Sequence, residues 1–332
     1  MADGEPTNGL ARDIAAWLQT VAAETEETIR QAPGSTVVPA LSSPDSAGRR
    51  AMALLERLAA AGPEARLEPG ETLGEGGMGV VRSAQQVALG RKVAVKTLKP
   101  GRRDDAAALE LLREAWVTGT LEHPNIVPIY DIGLDEDGSP VIVLKRIEGR
   151  SWTALMHDAD AVLAQLGATD LLEWNLEILL QVLNALRFAH SRGILHRDLK
   201  PDNVMIGEFG EVYLLDWGIA ISLRDDGSGR LPLASSATEM AGTPCYMAPE
   251  MLGGEDGGAL SEQTDVYLAG AVLCEILSGD PPHLGETAIE VVTSVARSQP
   301  ALPADAPADL ADLCRRAMAP TPADRFDNVE AL

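Results

Sequence analysis

The sequence predicts an α+β protein of two lobes, a small β-rich lobe followed by a larger helical lobe with a cleft between, behind a helical N-terminal extension. Three observations point there. The apolar periodicity changes near residue 66, residues 71–98 alternate as strands around a glycine-rich turn, and beyond residue 147 helical spacing dominates. The length, 332 residues, suggests two compact units at about 150 residues each. We divide the chain into an extension, 1–65, and a domain, 66–332, with its N-lobe over about 66–147 and its C-lobe over about 148–332.

In the extension, Leu10, Ile14, Trp17, Leu18 and Val21 fall at helical spacing behind Asn8, a ready N-cap. A Pro/Ser-rich linker, "QAPGSTVVPALSSPDSAG", leads to a second short helix stopped by Gly62 and Pro63. The apolar faces can dock on the lobes, join a second copy into a dimer through these helices or the N-lobe, or bind a partner; a loose tether is the plain alternative. In the domain, the strands of 71–98 precede a helix over 104–121 and strands over 126–134 and 140–147. A long helix follows, capped by Asp170, with Leu172, Leu176, Leu179, Leu183 and Leu186 on one face and Gly193 at its end. Short strands are expected near 203–206 and 211–215, then helices at 262–278, 285–297 and 307–318.

Composition excludes several classes. With 27 basic and 50 acidic residues the net charge is −23, which argues against nucleic acid or an anionic membrane as the main partner. An anionic ligand in a cleft stays allowed, because charge beyond about 8 Å is largely screened at physiological salt. Cys245, Cys274 and Cys314 are odd in number and far apart in sequence, with neither metal-ligand nor disulfide spacing, so a reducing interior is expected. The start, "MADGEPTNGL", lacks signal-peptide regions, and the most apolar helix, "VYLAGAVLCEIL", carries Glu275 and is too short to span a bilayer. These features lead us to expect a soluble, cytoplasmic chain with no membrane segment.

"LGEGGMGVV" (73–81) sets Gly74, Gly76 and Gly79 between two strand-like runs. Glycines let a backbone lie close over phosphates and offer N–H groups, though a flexible hairpin explains them as well. Lys96 ends the strand "VAVK", and Glu114 on the next helix is a natural counter-ion. A solvated lysine and a helix-surface carboxylate would look the same. In "LLDWGIA", Asp216 follows an apolar strand, where a buried carboxylate is costly unless a positive group meets it.

"HRDLKPDNVMI" (196–206), "GTPCYMAPE" (242–250) and "TDVYLAG" (264–270) change the weighting. From about Leu67 to its last residue the chain resembles the Hanks-type serine/threonine protein kinases, especially the bacterial members. The resemblance implies a bilobal protein-kinase-like fold and ATP-dependent phosphorylation of Ser/Thr on protein substrates in signal transduction. ATP and Mg2+ are implied as cofactors, with Mn2+ an alternative metal. By position, Asp198 would orient the substrate hydroxyl and accept its proton, Lys200 would stabilise the transferring phosphoryl group, and Lys96 with Glu114 would align the nucleotide. Asn203 and Asp216 would hold metal, and Thr243 would contact Asp198 and Lys200 and help select a hydroxyl-bearing substrate. The nucleotide would lie under Leu73, Gly74, Glu75, Gly76, Gly77, Met78 and Gly79. Its adenine would stack between Val81, Ala94 and Met205, beside Leu144 at the gatekeeper position.

The chain departs from the family pattern in places. Trp217 stands where the family has phenylalanine, a ring that packs between His196 and the helix of Glu114; an indole adds one N–H that wants an acceptor. Thr118 replaces an apolar residue beside that ring. Lys145 and Arg146 replace the common Glu-Tyr of the connector between the lobes, where adenine is recognised by backbone groups. Ser151 falls where many members carry a ribose-contacting acid. The resemblance also implies an ion pair between Glu250 and Arg325, and capping of catalytic-loop N–H groups by Asp265. Arg197, before the catalytic Asp, implies recognition of a phosphorylated activation loop, and Ser235, Ser236 and Thr238 in 222–243 are candidate phosphosites. A polar mobile loop would carry such hydroxyls anyway. The alternative class is a catalytically silent kinase-shaped scaffold that binds nucleotide or partners; such chains usually lose the catalytic Asp, the metal Asp or the strand lysine, all present here. The chain stops at Leu332, within the expected last helix, so either the fold closes early or more protein follows.

Overall fold

Alternation over the first third of the domain becomes an antiparallel sheet in the computed structural model, which describes residues 67–332 apart from 77–78, 238–239 and 254–258. The expected extension over 1–65, Gly77, Met78 and Thr238 lie outside the described residues. Strands β1 (Leu67–Glu75), β2 (Gly79–Gln86), β3 (Arg91–Leu98), β4 (Ile129–Leu134) and β5 (Pro140–Lys145) pair in the order β1-β2-β3-β5-β4. Val81 pairs with Lys96, and Ala94 with Leu144, so all four share the sheet face that meets the first helix. That helix, α1 (Asp105–Thr120), is capped by Asp104, whose carboxylate accepts from Ala107 N at 2.8 Å. Ala107, Leu111 and Ala115, one turn apart, pack on Leu98 and Ile142.

The expected strand from 126 begins only at Ile129; Ile126 makes a single bridge to Leu214 in the other lobe. The strand expected to reach 147 ends at Lys145, where the chain leaves the sheet to cross between lobes. Three short elements escaped the sequence reading: β6 (Gly149–Ser151), α2 (Trp152–Leu155) and α3 (Ala159–Gln165). A four-residue helix is too short for a period, and this one is held by a contact distant in sequence, Trp152 Nε1–H donating to Asn175 Oδ1 at 2.7 Å.

The C-lobe is built on α4 (Leu171–Ser191), which Asp170 caps and Gly193 ends at φ +74°. Of the expected leucines, Leu179, Leu183 and Leu186 are buried, alongside Trp174, Ile178, Val182, Ala185 and Ala189, while Leu172 and Leu176 are only partly buried. The helix touches α5 (Glu262–Ser278) on one side and the strands β7 (Ile194–Leu195) and β9 (Val212–Leu214) on another, so the buried face is wider than a leucine stripe. Helix α5 is buried from Thr264 through Glu275. A Cβ on Gly270 would come within 2.7 Å of Ala317 Cβ, so glycine sets the close approach of α5 to α7 (Ala308–Ala317). Between them α6 (Ala288–Arg297) starts three residues later than expected, at a Thr287–Glu290 capping box. Cys274 on α5 and Cys314 on α7 are both buried, Cys314 Sγ donating to Gly270 O of α5 at 3.5 Å, and all three cysteines are free. No helix among the described residues is long and apolar enough to cross a membrane.

Candidate active site between the lobes

Lys96, from β3, donates to both carboxylate oxygens of Glu114 on α1, each at 2.6 Å. Burial works against the lysine's charge, but Glu114 and then Asp216 outweigh it, and the pKa of Lys96 is raised. The strand and helix therefore present one oriented ammonium to the cleft. Gly79, at the start of β2, has no room for a side chain, since a Cβ would lie 2.4 Å from Thr97 O. Gly74 and Gly76 face open space, and Gly76 N donates to Gly79 O at 3.0 Å to close the turn. Leu73 is exposed at 42%, whereas Val81, Ala94, Leu144 and Met205 are partly or fully buried, as an apolar slot requires.

Across the cleft the catalytic loop hangs from Asp265 on α5. Its carboxylate accepts from His196 N and Arg197 N, both at 2.9 Å, and meets His190 Nε2 at 2.8 Å. Burial alone would raise the pKa of Asp265; the His190 contact and the loop N–H groups reverse that and lower it. Arg197 thus sits at φ +68°, an uncommon conformation for a side-chain-bearing residue, over-determined by its neighbours. Asp198 N donates to His196 Nδ1 at 3.2 Å, which puts the ring proton on Nε2 facing Leu215 O at 3.1 Å. His190 was not anticipated; a histidine ending an apolar helix was the available signal.

The four predicted loop side chains converge. Asp198 accepts from Thr243 Oγ1 at 2.7 Å through one oxygen, and from Lys200 Nζ at 2.8 Å and Asn203 Nδ2 at 3.0 Å through the other. Lys200 Nζ also reaches Thr243 Oγ1 at 2.6 Å. Gly242, at φ +127°, brings Thr243 in; a Cβ there would meet Met251 Cε at 2.8 Å and Arg197 O at 3.1 Å. Asn203 accepts Leu215 N at its backbone oxygen, 2.8 Å, which sets Asp216 beside it. Asp216 corrects one expectation: the strand before it is buried, but its own carboxylate is exposed to the cleft at φ +59°, where among the described residues it accepts a 3.3 Å bond from Gly218 N. It needs no buried counter-charge.

Two oxygen-bearing side chains, Asn203 and Asp216, adjacent at the cleft, suit a hard divalent cation such as Mg2+, and the open space over Gly74 and Gly76 suits phosphates. Trp217, 1% exposed, packs on His196 with ring centroids 4.5 Å apart and joins the core cluster of Val117 on α1. Its Nε1–H finds no acceptor among the described residues. Ser151 spends its hydroxyl capping α2 at Ala154 N, 3.3 Å. Glu250 and Arg325 form the expected pair at 2.7 and 2.8 Å. Arg197 is buried, its Nε without a partner among the described residues, and burial lowers its pKa against the opposing pull of Asp265. Ser235 and Ser236 are exposed on a short turn, with Ser236 Oγ donating to Leu233 O at 2.9 Å.

The protein kinase domain family matches residues 67–332. The serine/threonine-protein kinase PknB of Mycolicibacterium smegmatis is 36% identical over 269 residues, covering 79% of this chain and 41% of that protein. Probable serine/threonine-protein kinases of Corynebacterium efficiens and Streptomyces coelicolor are each 36% identical, covering 79% and 72% of this chain but 39% and 34% of their own lengths. The chain thus spans about two fifths or less of these relatives. With the motifs in order, the two lobes meeting at a shared cleft and the match over the whole described region, the chain belongs to the Hanks-type serine/threonine protein kinase family, in its bacterial branch.

Proposed function

We propose that the chain transfers the terminal phosphoryl group of ATP to serine or threonine hydroxyls of proteins, with Mg2+ as the metal. The observation that carries this reading is the bonded set Asp198–Lys200–Thr243–Asn203, in which three side chains donate to the Asp198 carboxylate, together with the Lys96 ammonium oriented by Glu114. Asp198 holds the substrate hydroxyl and takes its proton as that oxygen bonds to phosphorus and the bond to the departing ADP oxygen breaks. Lys200 offsets charge on the transferring group, and Lys96, fixed by Glu114, orients the phosphates. Asn203 and Asp216 hold the metal, whose charge, when bound, neutralises the phosphates. Thr243 bridges Asp198 and Lys200 and keeps both in register. The nucleotide phosphates would lie against the turn of Gly74, Gly76 and Gly79, with the adenine between Val81, Ala94 and Met205.

The activation segment is also a substrate in this reading. Ser235 and Ser236 are exposed, and the buried, under-bonded Arg197 is a cation that a loop phosphate can satisfy. A scaffold role has less support, since none of the reacting side chains is missing or turned aside. Incubation with labelled ATP and Mg2+ on a generic basic protein tests the reading. Wild type should label it and Asp198→Asn should not; an inert wild type, after pre-incubation with ATP, overturns it. Mass spectrometry of 222–243 in the same samples locates the loop phosphate.

A further inference from the structure

Helix α1 carries Glu114 and bridges the lobes. Its first turns rest on the sheet, where Ala107 and Leu111 meet Leu98 and Ile142. At its other end Val117 and the C-cap Leu121 join the C-lobe core, in one cluster with Leu195 of β7, Val204 of β8 (Val204–Gly207) and Leu214 of β9. Between those ends Glu114 is bonded to Lys96 at 2.6 Å. Turning α1 about its own axis would carry Glu114 off that lysine, so whatever resists the turn bears on the chemistry.

One large side chain of α1 faces the other way. Positions 114 and 116 lie about 200° apart around a helix, which sends the Trp116 indole out on the side nearly opposite Glu114. Ala115, Val117 and Thr118 are buried, whereas Trp116 is only half-buried. What meets it comes from the activation segment. The Arg230 guanidinium lies over the indole, 5.7 Å from the ring centroid, inside the ~6 Å reach of a cation–π contact. Among the described residues that guanidinium forms no salt bridge.

Arg230 is presented by an anchored limb and not by a loop tip. The bend through Gly227 and Gly229, at φ +71° and +64°, lies before it. Arg230 N donates to Ser228 Oγ at 3.2 Å, Leu231 packs on the C-lobe core, and Ser222 N donates to Pro232 O at 2.9 Å. The outgoing limb is tied as well, with Leu223 N donating to Gly193 O at 2.7 Å just past α4. Backbone bonds to the C-lobe therefore hold the guanidinium beside α1.

We propose that Arg230 and Trp116 are positioning residues for phosphoryl transfer. The activation segment braces α1 by laying the Arg230 guanidinium on the Trp116 indole, and so keeps Glu114 on Lys96 from the far side of the helix. The inference rests on the phosphotransfer reading above. It adds a link from the 222–243 loop to Lys96 that uses neither Arg197 nor a loop phosphate.

Steady-state kinetics of the 1–332 chain with ATP, Mg2+ and a generic basic protein test the link, together with hydrogen exchange of the ATP-free protein. Arg230→Ala should lower kcat about two- to fivefold, the size of one partly exposed cation–π contact. Its KM for the protein substrate and its melting temperature should not change, as for an exposed side chain outside the core. Trp116→Leu keeps apolar cover but removes the π face, so it should lose as much, and the double variant no more than either alone. Arg230→Lys and Trp116→Phe should each recover at least half of the loss. In Arg230→Ala the amides of 105–120 should exchange about threefold faster while those of 171–191 keep their rates, a readout independent of loop phosphate. An unchanged kcat in Arg230→Ala overturns the inference, as does unaltered exchange over 105–120 or a double loss equal to the product of the single ones. A wild type that labels no protein strikes the phosphotransfer reading itself, and this inference with it.

Discussion

Removing Arg325 should cost this domain more stability than any surface ion pair could explain. The guanidinium uses all five N–H groups: two reach Glu250 at 2.7 and 2.8 Å, and three reach the carbonyls of Ala319, Gln263 and Pro320 at 2.7, 2.9 and 3.1 Å. The paired side chains are 0% and 2% exposed, so water cannot replace what is lost. Arg325→Met leaves the Glu250 carboxylate with only the Thr264 hydroxyl, at 2.9 Å. Breaking one partner of a buried pair costs about 3–5 kcal/mol, and each stranded carbonyl adds to it. At about 2–4 °C per kcal/mol for a domain of this size, the melting temperature should fall by about 10–15 °C. Urea unfolding followed by circular dichroism gives the same quantity as a free energy. The double variant Glu250→Leu/Arg325→Met removes the orphaned charge and should recover at least half of the loss. A single-variant cost below about 1 kcal/mol, the level of an exposed pair, would refute the reasoning. So would a double variant as unstable as the two single losses added.

Further outcomes follow from the same geometry. Lys96→Met should lower kcat by about 10²–10³-fold with a smaller change in the KM for protein substrate, read in steady-state assays. Gly79→Ala should lower stability and raise the KM for ATP, because the added methyl must displace Thr97 O; an unchanged KM would show the β2 start is not close-packed. Trp217→Phe removes a buried unpartnered N–H, so its stability should stay within about 1 kcal/mol of wild type, whereas Trp217→Ala should lose about 3–5 kcal/mol. His283 is fully buried beside Tyr267, and burial pushes its pKa down to about 4. Its folded pKa lies below the unfolded value of about 6.5, so its contribution is complete above that pH and is lost as pH falls towards 4. Wild type should therefore lose up to about 3 kcal/mol between pH 7 and 4 that His283→Gln does not, measured as urea midpoints across that range.

Much of the site was legible because its residues sit in short contiguous motifs. Lys96, Asp198, Lys200, Asn203 and Asp216 were named from local strings; in the structure Lys96 bonds Glu114, and Lys200 and Asn203 bond Asp198. Asp216 is the instructive exception. The apolar strand before it suggested burial, but strand polarity says nothing about which way the next residue turns, and a positive φ swings this carboxylate to the cleft. The helix over 171–191 shows a similar limit: Leu179, Leu183 and Leu186 of the predicted row are buried, but contacts on two sides also bury Trp174, Ile178 and Val182, which a leucine stripe does not name.

By itself the amino-acid sequence determined the order of the longer elements, the family and the candidate reacting side chains, because periodicity and motif spacing act over a few residues. Only the tertiary structure decided which groups finish one another. Asp198 and Thr243 are 45 positions apart, His190 and Asp265 are 75 apart, and Lys145 and Tyr213 are 68 apart. Such pairs leave no periodic trace along the chain, since a hydrogen bond depends on where two backbones are carried in space and not on the residues between them.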